Sequence, residues 1–506
     1  MSYRPSGMRM WDSWFLEHRG TAHMFYLQRL IEGSRRGKEE DNIGHATSTD
    51  LVNWREGNPS VRPGAAGSLE DMQPWTGCAF CPDDEHFYLY YTMRSSLDHG
   101  KGQRIGLVRS TDLSEWAHYD ANPVIVPDSQ YYASHSAPLA NGVVDCRDLI
   151  IIRDDANARY LGYYAARTNE PDLEASSCIA MIESRDLIHW NHLPPAFAPK
   201  RYGCLEVPDV FPLGGHWFLT ALTGHWYGNR GIFSDLDVTE GTVYAMAESP
   251  EGPFLENVED NILIAASRHS GYSCRSLVFK GQRYLFYTEK SEDRIDVLTI
   301  PKLLRTDGAG HLRAIYSDRY RLLYGARLAD PLVPLPILSS PYPNPHWSLP
   351  SGFWSLQDGR YRGYAAHGWQ IGLLPIETVD MEFECALILT RGVAAGIAFD
   401  VATTDTEKPS LEASCVFLDA EEQKVVCADL PSFASTQKRR LMVKPGQAYN
   451  LKLVLLGAQI ELFIDDVLVL QFGQRPRRGR VGLFVDRGEA VIDALRVTRL
   501  IVNPTD

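Results

Sequence analysis

One short phrase recurs five times in the first 330 residues, and each copy reads as a buried strand. The copies are His23–Gln28 (HMFYLQ), His86–Thr92 (HFYLYYT), Tyr160–Ala166 (YLGYYAA), His216–Thr223 (HWFLTALT) and Tyr284–Glu289 (YLFYTE). Runs so rich in aromatics and β-formers suit a strand covered on both faces. Their starts lie 63, 74, 56 and 68 residues apart, a length that four strands and their turns require. A sheet that small cannot cover its own faces, so successive sheets must pack on one another. The pattern predicts an all-β chain whose residues 1–330 form a five-bladed β-propeller. In that architecture the innermost strand of each blade faces a shared axis, where side chains from different blades converge.

A second phrase accompanies the first. Ser48-Thr49-Asp50-Leu51-x-x-Trp54 returns as Ser110-Thr111-Asp112-Leu113-x-x-Trp116 and Ser184-Arg185-Asp186-Leu187-x-x-Trp190, with a variant ending in Gly252-Pro253-Phe254. Turn-forming Ser and Asp followed by an aromatic anchor suit a strand end that folds back over its blade. Its repetition in several blades assigns it to structure, because a functional site should be unique.

Between Pro331 and Pro350 stand seven prolines, too many for a helix or a central strand. Residues 331–351 are therefore read as a linker, and residues 352–506 as a second domain. There, alternating stretches at 380–389, 396–402, 413–419, 448–456, 459–464, 467–472 and 480–486 predict a β-sandwich, with Asp465-Asp466 as a hairpin turn.

Composition narrows the function classes. Fifty basic against 64 acidic residues give a net charge of −14, which argues against nucleic acid as a partner. The one basic run, Arg475 to Arg480, reads as a solvated turn. No stretch is long and apolar enough to span a membrane. Residues 1–10 lack the apolar core of a secretory signal, so the expected compartment is the cytoplasm. Nine cysteines are scattered, and Cys78-x-x-Cys81 has no second pair to complete a zinc site. They are read as free thiols, and neither a metal nor another cofactor is expected. His135, His225 and His269 are too far apart to suggest a metal by spacing.

The innermost strand should come just before each aromatic run. Asp12 precedes His23 by eleven residues, Asp148 precedes Tyr160 by twelve, and Glu206 precedes Trp217 by eleven. Trp75 and Arg275 fall near the corresponding places in the second and fifth blades. Three carboxyl groups on one rim raise one another's pKa, the condition for a carboxylic acid to donate a proton near neutrality. A carboxylate that attacks or activates water, with a second that protonates a leaving oxygen, is what glycoside hydrolysis needs. The competing reading is that these acids cap turns or pair with Arg147 and Arg153.

These residues resemble glycoside hydrolase family 32, the invertase and fructosidase family, with relatives in families 43 and 68. Trp11-Asp12-Ser13-Trp14 is similar to the family's Asn-Asp-Pro-Asn block, Cys146-Arg147-Asp148-Leu149 to its Arg-Asp-Pro motif, and Glu206-Val207-Pro208-Asp209 to its Glu-Cys-Pro-Asp motif. The resemblance implies Asp12 as nucleophile, Glu206 as general acid/base, Asp148 as the stabiliser of sugar hydroxyls and Arg147 as a substrate contact. It also marks departures: Leu27 stands where the family has Gln, Ile43 where it has Trp, and Thr76-Gly77-Cys78 where it has Ser-Gly-Ser. The strand Gly241–Ala245 looks more like family 43, and Gly479–Phe484 resembles a concanavalin-like domain.

Trp14, Trp75, Trp226 and Tyr227 lie close in sequence to the inner-strand ends and are candidate sugar-stacking surfaces, with core packing as the alternative. The expected activity is hydrolysis of a small β-fructoside or related furanoside, with a small oligosaccharide as the partner. Transfer through the same intermediate, and an inverting arabinofuranosidase or galactosidase of the family 43 type, remain open. A non-catalytic sugar-binding propeller is the alternative of another class.

Overall fold

The computed structural model describes residues 3–31, 41–136, 142–224, 240–257, 260–266, 271–290, 296–328, 337–339, 352–403, 411–473 and 479–501. One compact unit ends at Arg319 and a second begins at Tyr320.

The first unit opens with four antiparallel four-stranded sheets, each built from strands consecutive in the chain. They are β1 (Met8–His18), β2 (Thr21–Leu30), β3 (Asn42–Ser48) and β4 (Arg55–Glu56); β5 (Trp75–Phe80), β6 (Phe87–Met93), β7 (Arg104–Ser110) and β8 (Ala117–His118); β9 (Arg147–Asp154), β10 (Arg159–Arg167), β11 (Ser177–Ser184) and β12 (Asn191–Phe197); and β13 (Glu206–Leu213), β14 (His216–Gly224), β15 (Glu240–Ala247) and β16 (Ile262–Ala266). The antiparallel set β17 (Tyr272–Phe279), β18 (Gln282–Lys290), β19 (Asp296–Leu298), β20 (Lys302–Thr306) and β21 (Leu312–Ile315) follows. Four sheets, rather than the expected five, close as separate four-stranded units. In the fifth set β18 pairs with both β19 and β20, so its third strand is split.

The first strands touch in a ring: β1 lies beside β5, β5 beside β9, β9 beside β13, β13 beside β17, and β17 beside β1. This is a β-propeller, and the aromatic runs are the second strands. The repeated Ser/Asp phrase holds each sheet to the one before it. Ser48, Ser110 and Ser184 accept backbone N–H bonds at their hydroxyls, and Leu51, Leu113 and Leu187 turn the chain at φ of 69°, 65° and 66°. The aromatic that follows then packs on the second strand of the preceding set: Trp116 on Phe25, Trp190 on Tyr90, and Trp54 on Phe286 of β18. In the variant phrase Phe254 takes the same place against Tyr163.

The second unit is rich in long strands. Arg360–Glu377 and Met381–Thr403 both pair antiparallel with Arg480–Leu500 around a buried cluster that includes Phe383, Leu387, Ile397, Leu453, Leu483 and Ile492. The two strands expected at 380–389 and 396–402 are one strand with register shifts. Lys424–Leu430 and Ala434–Arg440 are additional strands. Asp465 and Asp466, at φ of 48° and 66°, form the expected hairpin turn. Within the proline-dense stretch, Ile337–Ser339 pairs with Gln370–Gly372, and the rest of 331–351 lies outside the described residues. No helix among the described residues is long and apolar enough to cross a membrane.

Candidate active site

Each first strand of the ring breaks register close to its start. Trp11 pairs with Leu27 and Ser13 with Tyr26, which leaves Asp12 unmatched. Thr76 is left over in the same way between Trp75 and Gly77. In the other three strands two residues oppose one: Asp148 and Leu149, Val207 and Pro208, Ser273 and Cys274. A bulge of this kind re-aims a side chain and is frequent beside functional sites. Asp148, Val207 and Ser273 also carry φ of 63°, 48° and 55°, a left-handed backbone that costs energy in residues other than glycine. The β5 bulge is tight as well: a Cβ on Gly77 would lie 1.8 Å from the Tyr90 carbonyl oxygen.

The register defines equivalent positions. Asp12, Thr76, Asp148, Val207 and Ser273 correspond, and so do the preceding Trp11, Trp75, Arg147, Glu206 and Tyr272. Nine of these ten residues, all but Val207, line one cavity of about 210 Å³ together with Leu27 and Leu222. Glu206 is therefore not at the position of Asp12 and Asp148, as counting from the aromatic runs suggested. It stands one residue earlier, matching Arg147, because the residue counted from does not hold a fixed place in the pairing: Trp217 lies five residues before Leu222, the partner of Glu206, whereas His23 lies four before Leu27, the partner of Trp11.

A chain of polar contacts runs around the rim. Thr76 and Ser273, the neighbours of Asp12 on either side, each donate a hydroxyl hydrogen bond to a different oxygen of its carboxylate. The Thr92 hydroxyl donates to the Thr76 carbonyl at 2.8 Å and accepts from the Asp148 N–H at 3.2 Å. The Val207 N–H donates to Asp148 Oδ2 at 3.0 Å. Arg147 is buried and bridges the acids: its guanidinium lies 3.0 Å from Glu206, 3.5 Å from Asp148 and 2.6 Å from the buried Asp145. The pairing with Arg147 that the sequence left as an alternative is thus present, within the same cavity as the acids. Arg153 instead pairs with Asp155 on the surface.

Asp148 has the clearest electrostatic signature. Burial pushes its carboxyl up to about 7; the charges of Glu206 and Asp12 act in the same direction, and Arg147 and the Val207 N–H oppose them. The carboxyl groups thus sit in different settings, Asp12 between two hydroxyls, Glu206 on a guanidinium and Asp148 buried on a backbone N–H.

The other candidates divide. Trp75 lines the cavity, and the Arg94 guanidinium lies 3.7 Å from the centroid of its ring. Trp14 does not line it: two residues beyond the bulge, its side chain is only 2% exposed and stacks on Phe25 between sheets. Arg275 also lies below the rim; it is buried, and its Nη2 donates to the Asp148 carbonyl at 2.9 Å. Leu27 reaches the cavity, whereas Ile43 belongs to the apolar core beside it. Trp226 and Tyr227 lie outside the described residues. Thr76, Ser273, Trp11 and Tyr272 were not singled out as site residues from the sequence. Aligning the inner strands on their pairing partners, instead of counting back from the aromatic runs, brings all four into register.

The model for the N-terminal domain of glycosyl hydrolases family 32 matches residues 13–270. A β-fructofuranosidase, an insoluble isoenzyme of Arabidopsis thaliana, is 26% identical over 204 residues, 39% of this chain and 32% of that protein. A levanase of Bacillus sp. (strain L7) is 25% identical over 229 residues, 42% of this chain and 22% of that protein. The matched segment thus spans about a third or less of these relatives. Among solved structures, an exo-inulinase from Aspergillus awamori superposes with a TM-score of 0.68 at 16% identity, covering 99% of this chain and 97% of that one. A fructan 1-exohydrolase from Cichorium intybus in complex with 1-kestose gives 0.64 at 15% identity, with 99% and 98% covered. At such identities these structures are similar in fold.

Proposed function

The chain belongs to glycosyl hydrolase family 32, and from that premise we propose that it hydrolyses a small β-fructoside or related furanoside with Asp12, Glu206 and Asp148 as the working acids. The observation that carries this reading is the setting of Asp12. Its two carboxylate oxygens are each held by a hydroxyl, from Thr76 and Ser273, in a cavity that Glu206 also lines.

In this mechanism an Asp12 oxygen attacks the anomeric carbon while the bond to the leaving oxygen breaks, and Glu206 delivers its proton to that oxygen. Glu206, now a carboxylate, then takes a proton from water, the water oxygen bonds to the anomeric carbon, and the Asp12 ester bond breaks. Asp148 holds hydroxyls of the sugar, and Arg147 keeps Glu206 and Asp148 apart in charge and fixed in place. A cavity of about 210 Å³ lies below the roughly 300–1,000 Å³ of pockets for drug-sized ligands and suits one sugar ring rather than a polymer. Leu27 and Leu222 give it two apolar walls, and Trp75 an aromatic one. In the same reading β17–β21 are the fifth blade, which the ring of first strands supports, and the C-terminal strands form a sandwich.

The test is a panel of fructosides, arabinofuranosides and galactosides, sucrose and 1-kestose among them, with sugar release followed by chromatography. Fructose should be released, and Glu206→Gln should slow release from natural glycosides by about 10²–10⁴-fold, the usual worth of general acid catalysis. Arabinose or galactose release without fructose would replace the fructoside reading by the family 43 type. A full-rate Glu206→Gln enzyme would remove that residue from the mechanism.

A further inference from the structure

His18, Cys81 and Asp84 bring an imidazole nitrogen, a thiol sulfur and a carboxylate oxygen within 4.8 Å of one another. We propose that these three residues form a zinc site that ties the first sheet of the propeller to the second.

The residues come from two separate elements. His18 is the last residue of β1, and Cys81 and Asp84 belong to the turn between β5 and β6. His18 Nδ1 lies 4.0 Å from Asp84 Oδ1. Its ring is held edge-on against Phe87, with centroids 4.9 Å apart, so the imidazole is oriented. The turn is pinned by Asp83, whose carboxylate accepts from the N–H of His86 at 2.8 Å and of Glu85 at 3.1 Å.

The ligand set selects the metal. Imidazole with thiolate favours a zinc-like ion over calcium or magnesium, which take oxygen ligands. Tetrahedral zinc, with Zn–S near 2.3 Å and Zn–N and Zn–O near 2.0–2.2 Å, sets ligand atoms about 3.4–3.6 Å apart. The 4.0 Å between His18 and Asp84 is a few tenths of an ångström longer, a gap that a small rotation of Asp84, whose side chain is 79% exposed, closes. Water completes the fourth position, and the Cys81 proton passes to solvent as the thiolate forms. The Cys78-x-x-Cys81 motif is thus divided. Cys78 is buried in the apolar core, while Cys81 meets a histidine from another sheet. His18 lies six residues beyond Asp12 along β1, about 20 Å at the usual strand rise, so the ion acts on structure and takes no part in sugar chemistry.

Cys81 is the one cysteine of the nine that is not buried, which gives the site a specific reporter. Metal-free full-length protein is titrated with Co²⁺ and then Zn²⁺, with absorption spectra and metal analysis after gel filtration. The expected result is one equivalent of Co²⁺, a near-ultraviolet thiolate-to-cobalt charge-transfer band, and displacement of both by Zn²⁺. Losing a second-shell partner alone costs about 10–100-fold in affinity, so Cys81→Ser and His18→Ala should each cost at least about 100-fold, the former with loss of the band. Asp84→Asn, on an exposed turn that should tolerate it, should keep the band and weaken zinc binding. A protein that binds no equivalent of cobalt overturns the proposal. So does a band that survives Cys81→Ser, or zinc affinity unchanged in both His18→Ala and Asp84→Asn. Activity on the sugar should be the same with and without metal.

Discussion

Asp148 and Val207 occupy the same bulge position in adjacent strands, and the Val207 N–H donates to the Asp148 carboxylate at 3.0 Å. Val207 is held at φ 48° and Asp148 at φ 63°, so two unfavourable backbone conformations are spent on aiming one N–H and one carboxyl group. The Asp148 main chain is fixed at both ends of its peptide groups, its N–H by Thr92 and its carbonyl by Arg275. A residue held in this way behaves as part of the frame, and its protonation becomes a property of the fold.

Asp148 should make stability depend on pH. Its carboxyl is pushed from 3.8 up to about 7, chiefly by burial, so the folded chain holds a proton that the unfolded chain releases. That contribution is complete below about pH 4 and is lost as pH rises through about 7. Relative to Asp148→Asn, the parent should therefore lose melting temperature between those values. Thermal denaturation at unit pH steps checks this, and parallel profiles for the two proteins would contradict it.

Thr76→Ala and Ser273→Ala should act on turnover through the orientation of Asp12. Each removes one hydroxyl hydrogen bond to a carboxylate, a contact worth about 1.5–3 kcal/mol, or roughly 10- to 150-fold in kcat if it is made to the reacting geometry. KM should change little, because neither hydroxyl needs to touch the bulk of the substrate. Serine at position 76 should restore most of the rate. Steady-state kinetics separate this from a structural role, in which kcat per folded molecule would stay near that of the parent.

Phe254→Ala should destabilise the propeller without touching the chemistry. Phe254 is only 3% exposed and meets Tyr163 of the preceding sheet at 6.5 Å between centroids. Truncating a buried phenylalanine costs about 3–5 kcal/mol. Denaturant unfolding measures the loss, while kcat at low temperature should match the parent; a change below about 1 kcal/mol would remove Phe254 from the set of anchors.

The propeller was legible because its buried strands repeat the same chemistry: a run such as His86–Thr92 has no competing reading as helix or loop. The site was legible less finely. Counting from the aromatic runs found Asp12 and Asp148 but put Glu206 one position out of register, because the start of an aromatic run does not mark a fixed place in the strand pairing. Trp14 looked like a rim residue by its distance from Asp12; the bulge aims Asp12 into the cavity, and Trp14, back in regular pairing with Phe25, packs between sheets instead. The split at β19 and β20 carries no sequence mark, and Ala434–Arg440, with polar residues at most positions, does not announce a strand. The partners of Asp12 come from strands 64 and 261 residues away, a proximity that only the closed ring creates.

The role of Asp12 as nucleophile is tested most directly by Asp12→Ala with azide rescue on an activated fructoside. The variant should fold as the parent does, by circular dichroism, and hydrolyse at a rate lower by at least about 10³-fold, because the route to the covalent intermediate is gone. Added azide should restore turnover and yield a glycosyl azide of inverted configuration. A folded variant with full activity, or one whose lost activity azide does not restore, would contradict the assignment of Asp12 as nucleophile.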